Sequence, residues 1–112
     1  MSVVPTLKAS PEFQRIAREG KRWTCSFFIL QLQKRPDAPF RLGLTASRKV
    51  GNAVVRNRAK RRLREMVRLL LKEKTLSGFE IVLIAKTAAA SADFAQMQSD
   101  LRRGLEVLGV AV

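Results

Sequence analysis

The chain has 112 residues, 22 of them Lys or Arg and 9 Asp or Glu, for a formal net charge of +13. That length fits one domain, and 46% hydrophobic residues are enough for a core, so a wholly disordered chain is excluded. With no His, no Tyr and one Cys, there is no imidazole base, zinc-ligand set or phenol nucleophile, and the charge excess is most simply balanced by a polyanion, nucleic acid first among them.

Met1 to Leu7 lack the apolar run of a signal peptide, and the lone Cys25 cannot form an internal disulfide, which points to a reducing cytoplasm. No apolar stretch approaches the roughly 18 residues that span a bilayer, so no membrane partner is expected. Ser10-Pro11-Glu12 reads as a helix start, with the Ser10 hydroxyl as cap, and the helix runs to about Gly20 with Phe13, Ile16 and Ala17 on one face. Trp23 to Gln33 is aromatic and β-branched, as a strand should be. Its alternation puts Phe28, Leu30 and Leu32 on one side and Cys25, Phe27, Ile29 and Gln31 on the other. The turn-like Lys34 to Pro39 then separates it from a strand at Phe40 to Ala46, and the two are expected to form an antiparallel pair.

Asn52 to about Lys72 is free of Pro and Gly and predicts one long helix, with Val55, Ala59, Leu63, Met66 and Leu70 as its core stripe. Gly78 interrupts the pattern, Phe79 to Lys86 is a buried-strand candidate, and Ser91 is expected to cap a last helix to about Leu108. The order helix, strand, strand, helix, strand, helix predicts a single α/β sandwich over residues 1–112. If the last two strands are parallel neighbours, the long helix is their crossover, right-handed by default.

From Arg48 to Arg68 there are nine basic residues against Glu65 alone, so this window holds +8 of the net charge. They are Arg48, Lys49, Arg56, Arg58, Lys60, Arg61, Arg62, Arg64 and Arg68. Like charges at helical spacing cost an isolated helix about 0.2 to 0.5 kcal/mol per pair, so helix stability does not explain them. A solvated basic face is the bland alternative. The bias toward arginine, seven to two over lysine, speaks against it, because a guanidinium forks onto phosphate and stacks on bases. Asn57 adds a group that both donates and accepts in the most basic turn. Asn52 is a candidate N-cap, and the amides after it point at any anion docked there, with Arg48 and Lys49 alongside. Gly51 either serves that site or simply makes the turn.

The stretch Ser47-Arg48-Lys49-Val50-Gly51-Asn52-Ala53-Val54-Val55-Arg56-Asn57-Arg58-Ala59-Lys60-Arg61-Arg62-Leu63-Arg64-Glu65 closely resembles the signature of the bacterial ribonuclease P protein subunit, in which Arg-Asn-Arg is followed by Lys-Arg. The resemblance extends over nearly the whole chain, through an early Leu-Lys, a Phe-rich strand, Arg-Leu-Gly-Leu before the basic helix and Ile-Val-Leu-Ile-Ala-Lys after it. It implies a four-stranded mixed sheet with about three helices and a left-handed βαβ crossover, opposite to the default. It also implies a subunit that joins a catalytic RNA and helps remove the 5′ leader of precursor tRNA. Arg48, Lys49, Gly51, Asn52, Arg56, Asn57, Arg58, Lys60, Arg61, Arg64 and Arg68 would face that RNA.

Carried over residue by residue, the resemblance places Phe13, Ala17, Ile29 and Gln31 along a leader-binding cleft. Ala17 and Gln31 stand where some relatives carry aromatics, and Phe27, on the same predicted strand face, is a substitute. Ordinary core packing is the competing reading for Phe13 and Phe27. No catalytic or metal-ligating residue is assigned to the chain, Mg2+ is expected mainly on the RNA, and no obligate protein partner is inferred. One rival is a stand-alone RNA-binding or ribosomal protein. Another is an autonomous nuclease using Glu12, Glu65 or Glu80, which would need two carboxylates at one metal.

Overall fold

The computed structural model describes residues 4–111, so the first three residues and Val112 lie outside the described residues. In chain order the elements are α1 (Ser10–Glu19), β1 (Lys21–Thr24), β2 (Phe28–Pro39), β3 (Arg41–Ala46), a 3₁₀ turn (Arg48–Val50), α2 (Ala53–Glu73), β4 (Ser77–Ala85), a second 3₁₀ turn (Thr87–Ala90) and α3 (Phe94–Val107). The four strands form one mixed sheet in the order β1-β2-β4-β3. On one face, α2 and α3 cover a large core that includes Phe28, Leu30, Leu42, Leu63, Met66, Leu83, Met97 and Leu101. On the other, α1 rests on a much smaller cluster, Leu7, Ile16 and Val82 with Phe13 and Ile84 beside them.

Three sequence expectations are corrected. The single strand expected from Trp23 to Gln33 is two antiparallel strands, with Trp23 opposite Leu30 and a tight turn at Cys25 to Phe27 closed by the Cys25 N–H donating to the Phe28 carbonyl at 3.1 Å. Ser26 is the one turn-favouring residue here, with no Gly, Pro, Asn or Asp beside it, and a serine hydroxyl marks a turn only weakly, so composition does not reveal it. The expected turn from Lys34 to Pro39 remains extended as the far half of β2, with a break in its register against β4 between Lys34 and Pro39. Finally, β2 and β3 do not pair. β4 lies between them, antiparallel to β2 and parallel to β3.

Two helix caps also differ. Ser10 is inside α1, whose N-cap is Ala9, and it is the Glu12 carboxylate that accepts from the Ala9 N–H. The N-cap of α3 is Asp93 rather than Ser91, its carboxylate accepting from the Ala95 N–H at 2.9 Å. A carboxylate at a helix start gains from the dipole as well as the hydrogen bond.

The hand of the β3–α2–β4 crossover follows from Leu42. Its side chain enters the core with Leu63 and Met66 of α2, while its own carbonyl and N–H turn away from β4, bonding Leu7 and Pro5 at 2.9 Å each. Seen from the side-chain side with the strand running upward, an L-residue directs these groups to the right. β4 therefore lies to the left of β3 beneath α2, and the crossover is left-handed, against the general preference.

Candidate nucleic-acid interface

The turn into α2 is built for its position. Gly51 has φ +148, and a Cβ there would stand 3.0 Å from Val55, so the turn requires glycine. Asn52 caps the helix, its Oδ1 accepting from the Val55 N–H at 3.0 Å, which leaves the amides of the two residues between to face outward at the positive helix end. Arg48 and Lys49 are exposed on the adjoining 3₁₀ turn, and Arg56 folds back to donate to the Gly51 carbonyl at 3.3 Å.

Along α2 the basic residues divide by what already holds them. Asn57, Arg58, Arg61 and Arg64 are exposed and Lys60 is half-buried, and none of the four charged ones forms an ion pair among the described residues. Arg68 is held by Glu65 through two hydrogen bonds, one of 2.8 Å from Nε, so this expected RNA contact is largely neutralised within the helix. The Arg68 guanidinium keeps Glu65 below the usual carboxylate range, against a smaller opposing effect of burial. Arg62, on the flank facing the second 3₁₀ turn, donates to the Ala89 carbonyl at 3.0 Å and to that of Ala92, and lies 5.9 Å over the Phe94 ring. It pins α2 to the start of α3.

Across the sheet, α1 and the strands enclose an open groove of about 520 Å³ lined by Ser10, Phe13, Gln14, Ala17, Gln31, Leu44, Thr45, Val82 and Ile84. Phe13 reaches deep because Gly43 makes room: a Cβ there would lie 2.6 Å from Cε2 of the ring. Phe13, Ala17 and Gln31 thus meet in one groove, and Ile29 flanks it, paired with Ile84 on the same sheet face. Phe27 does not join them. It sits in the turn between β1 and β2 and packs against the large core, because the turn breaks the alternation that had placed it beside Ile29. A smaller pocket joins Phe13 and Leu44 to Arg64, so the basic helix and the groove adjoin at the β3 edge.

The far side of α1 carries an ionic cluster that sequence reasoning missed. Glu80, completely buried on β4, accepts hydrogen bonds from Arg15 of α1, Arg35 of β2 (3.4 Å) and Arg41 of β3 (2.7 Å from Nε). Arg41 also pairs with Glu12 at 2.6 Å. Burial opposes ionisation of Glu12, but the Ala9 N–H and Arg41 outweigh it and keep the group below its ordinary range. Glu12 and Glu80, distant in sequence, thus converge on one guanidinium rather than on an open cation site, and Glu65 is engaged by Arg68. Among the described residues no three carboxylate or thiol groups gather where they could hold a metal.

Comparison with known proteins gives this arrangement its context. A family model for ribonuclease P matches residues 1–109. The chain belongs to the ribonuclease P protein family. It is 44% identical over 105 residues to the ribonuclease P protein component of Gluconacetobacter diazotrophicus, covering 93% of this chain and 90% of that one. Against the Ruegeria pomeroyi component it is 40% identical, over 96% of this chain and 88% of the relative. Its fold matches the Staphylococcus aureus RNase P protein with a TM-score of 0.79 at 29% identity, covering 98% and 100% of the two chains. The Thermotoga maritima protein gives 0.74 at 30% identity, over 92% and 94%. As a ribonuclease P protein, the chain is one subunit of an endoribonuclease complex that contains RNA. No helix among the described residues is long and apolar enough to cross a membrane.

Proposed function

We propose that this subunit binds the catalytic RNA of ribonuclease P through the Arg48–Arg64 turn and helix, and holds the 5′ leader of precursor tRNA in the groove between α1 and the sheet. The observation that carries this reading is the adjacency of two unlike surfaces: a row of uncommitted arginines, and an open groove with an aromatic wall, meeting at Arg64. Guanidiniums neutralise phosphates without reading sequence, and Phe13 offers a face on which an unpaired base can stack. Ala17 and Gln31 leave space opposite that ring.

Cleavage chemistry belongs to the RNA in this reading. Magnesium ions held there supply the activated water and stabilise the leaving oxygen. The protein's own carboxylates are tied to arginines, so its contribution is binding energy: lowering repulsion between two polyanions and orienting the leader. The compartment is the cytoplasm, where precursor tRNA is made.

Reconstitution tests the assignment. Precursor tRNA is expected to be cleaved by the RNA with protein at lower Mg2+ than by the RNA alone, and not by the protein alone. Turnover by isolated protein would overturn it, and tight RNA binding with no gain in processing would favour a stand-alone RNA-binding protein. Phe13→Ala should lower the preference for precursor over mature tRNA by roughly five- to a hundredfold, the worth of one base stack. An equal loss for both substrates would mean that the ring matters only for folding.

A further inference from the structure

The groove does not stop at the residues that line it. Pairing of β1 with β2 sets Arg22 opposite Gln31 and Thr24 opposite Ile29, so these side chains share the face on which the groove lies. Their neighbour Trp23 confirms the assignment by pointing the other way, into the large core, where its ring lies 2.5 Å from the place a Cβ on Gly104 would take. Arg22 is exposed and forms no ion pair among the described residues. It stands one strand spacing, about 4.8 Å, beyond Gln31.

The groove follows α1 across the sheet. It begins at β3, where Phe13 covers Gly43, and passes Val82 and Ile84 of β4 to Gln31 of β2. Arg64 closes the β3 end. The middle is uncharged, and Gln31, 8% exposed, lines it with no hydrogen bond from its side chain among the described residues. A track with cationic ends and a neutral, partly aromatic middle matches a short single strand whose phosphates meet the ends while its bases enter the centre.

We propose that the binding track continues past Gln31 onto β1, and that Arg22 holds a backbone phosphate of the leader at its far end. This rests on the groove being the leader site and adds its second terminus. It makes the protein's grip depend on leader length, since only a leader that crosses all four strands reaches Arg22.

The test uses holoenzyme reconstituted with wild-type or Arg22→Ala protein and precursor tRNAs whose leaders lengthen one nucleotide at a time. With wild type, affinity should rise with length and then level off. With Arg22→Ala the last step of that rise should be missing, a loss of roughly two- to fivefold confined to the longer leaders. The salt dependence of their binding should flatten by about 0.7 in log–log slope, one single-strand phosphate contact. Arg22→Lys should restore most of the step, because a phosphate accepts a point charge. A wild-type length profile in Arg22→Ala, or the same loss at every length, would overturn the proposal while leaving the groove reading intact. If even the wild-type protein gains nothing from a leader, or Phe13→Ala leaves that gain unchanged, the groove reading itself fails and the Arg22 proposal with it.

Discussion

Glu80→Ala is expected to lower the free energy of unfolding by about 3 kcal/mol, measured as the urea midpoint at constant m-value. The magnitude follows from what would be left behind. Arg15, Arg35 and Arg41 come from α1, β2 and β3 and converge on one carboxylate with no exposed surface. Without it, three guanidiniums face one another with only Glu12 nearby. Each arginine keeps a quarter to two-fifths of its side chain exposed, so solvent relieves part of the repulsion and the cost stays at the lower end of that for breaking a fully buried pair. Glu80→Gln keeps the shape and an acceptor and should cost less. A loss under about 0.5 kcal/mol for the alanine variant would mean that the cluster is held by solvent rather than by Glu80.

Function should respond as well, because this cluster fixes one wall of the groove. α1 has ten residues, too few for a stable isolated helix, and its apolar contact with the sheet is Ile16 with little besides Phe13. Glu12 and Arg15 on one flank of the helix anchor it to Glu80 and Arg41, while Phe13, Gln14 and Ala17 on the other form the groove wall. Loosening the first flank therefore displaces the second. At a temperature where Glu80→Ala remains folded, leader preference should fall while affinity for the catalytic RNA, read on the opposite side of the sheet edge, changes little.

How far this architecture was readable from the sequence depended on whether the signal was local. The span and core stripe of α2 were legible because 21 residues repeat the helical period without interruption, and Asn52 announced its own cap. The basic constellation was legible as composition, but its division was not. Arg61 and Arg62 are neighbours of the same type, yet one is exposed and the other is fixed to the carbonyls of Ala89 and Ala92 27 and 30 residues away. Strand pairing failed for the same reason. Sequence order favours a β2–β3 hairpin, and only the burial of β4 on both faces, Ile81 and Leu83 toward the large core and Glu80 and Val82 toward α1, demands a central position. That run did read as a buried strand. Glu80, a carboxylate set inside it rather than at its end like Lys86, was the available clue that a buried ionic cluster existed, since a fully buried carboxylate needs cationic partners.

The division of the arginines leads to the other large effect. Reversing both Arg58 and Arg61 to Glu should weaken binding of the catalytic RNA by on the order of a hundredfold at moderate salt, from two lost charge-assisted contacts plus repulsion of the new carboxylates. The log–log salt slope should flatten by about 1.8, two duplex phosphates' worth, and the single Arg58→Ala or Arg61→Ala variants by about 0.9 each. Both side chains are exposed and unpaired among the described residues, so neither variant should move the thermal midpoint much. Arg62→Ala provides the contrast within the same turn of helix. Removing it strands two carbonyl acceptors and uncovers Phe94, so it should cost stability, about 1 to 3 kcal/mol, with the salt slope unchanged. If Arg62→Ala flattened the slope and the double reversal did not, the RNA would lie against the flank of α2 that faces α3, and the outer face of the helix would be solvent.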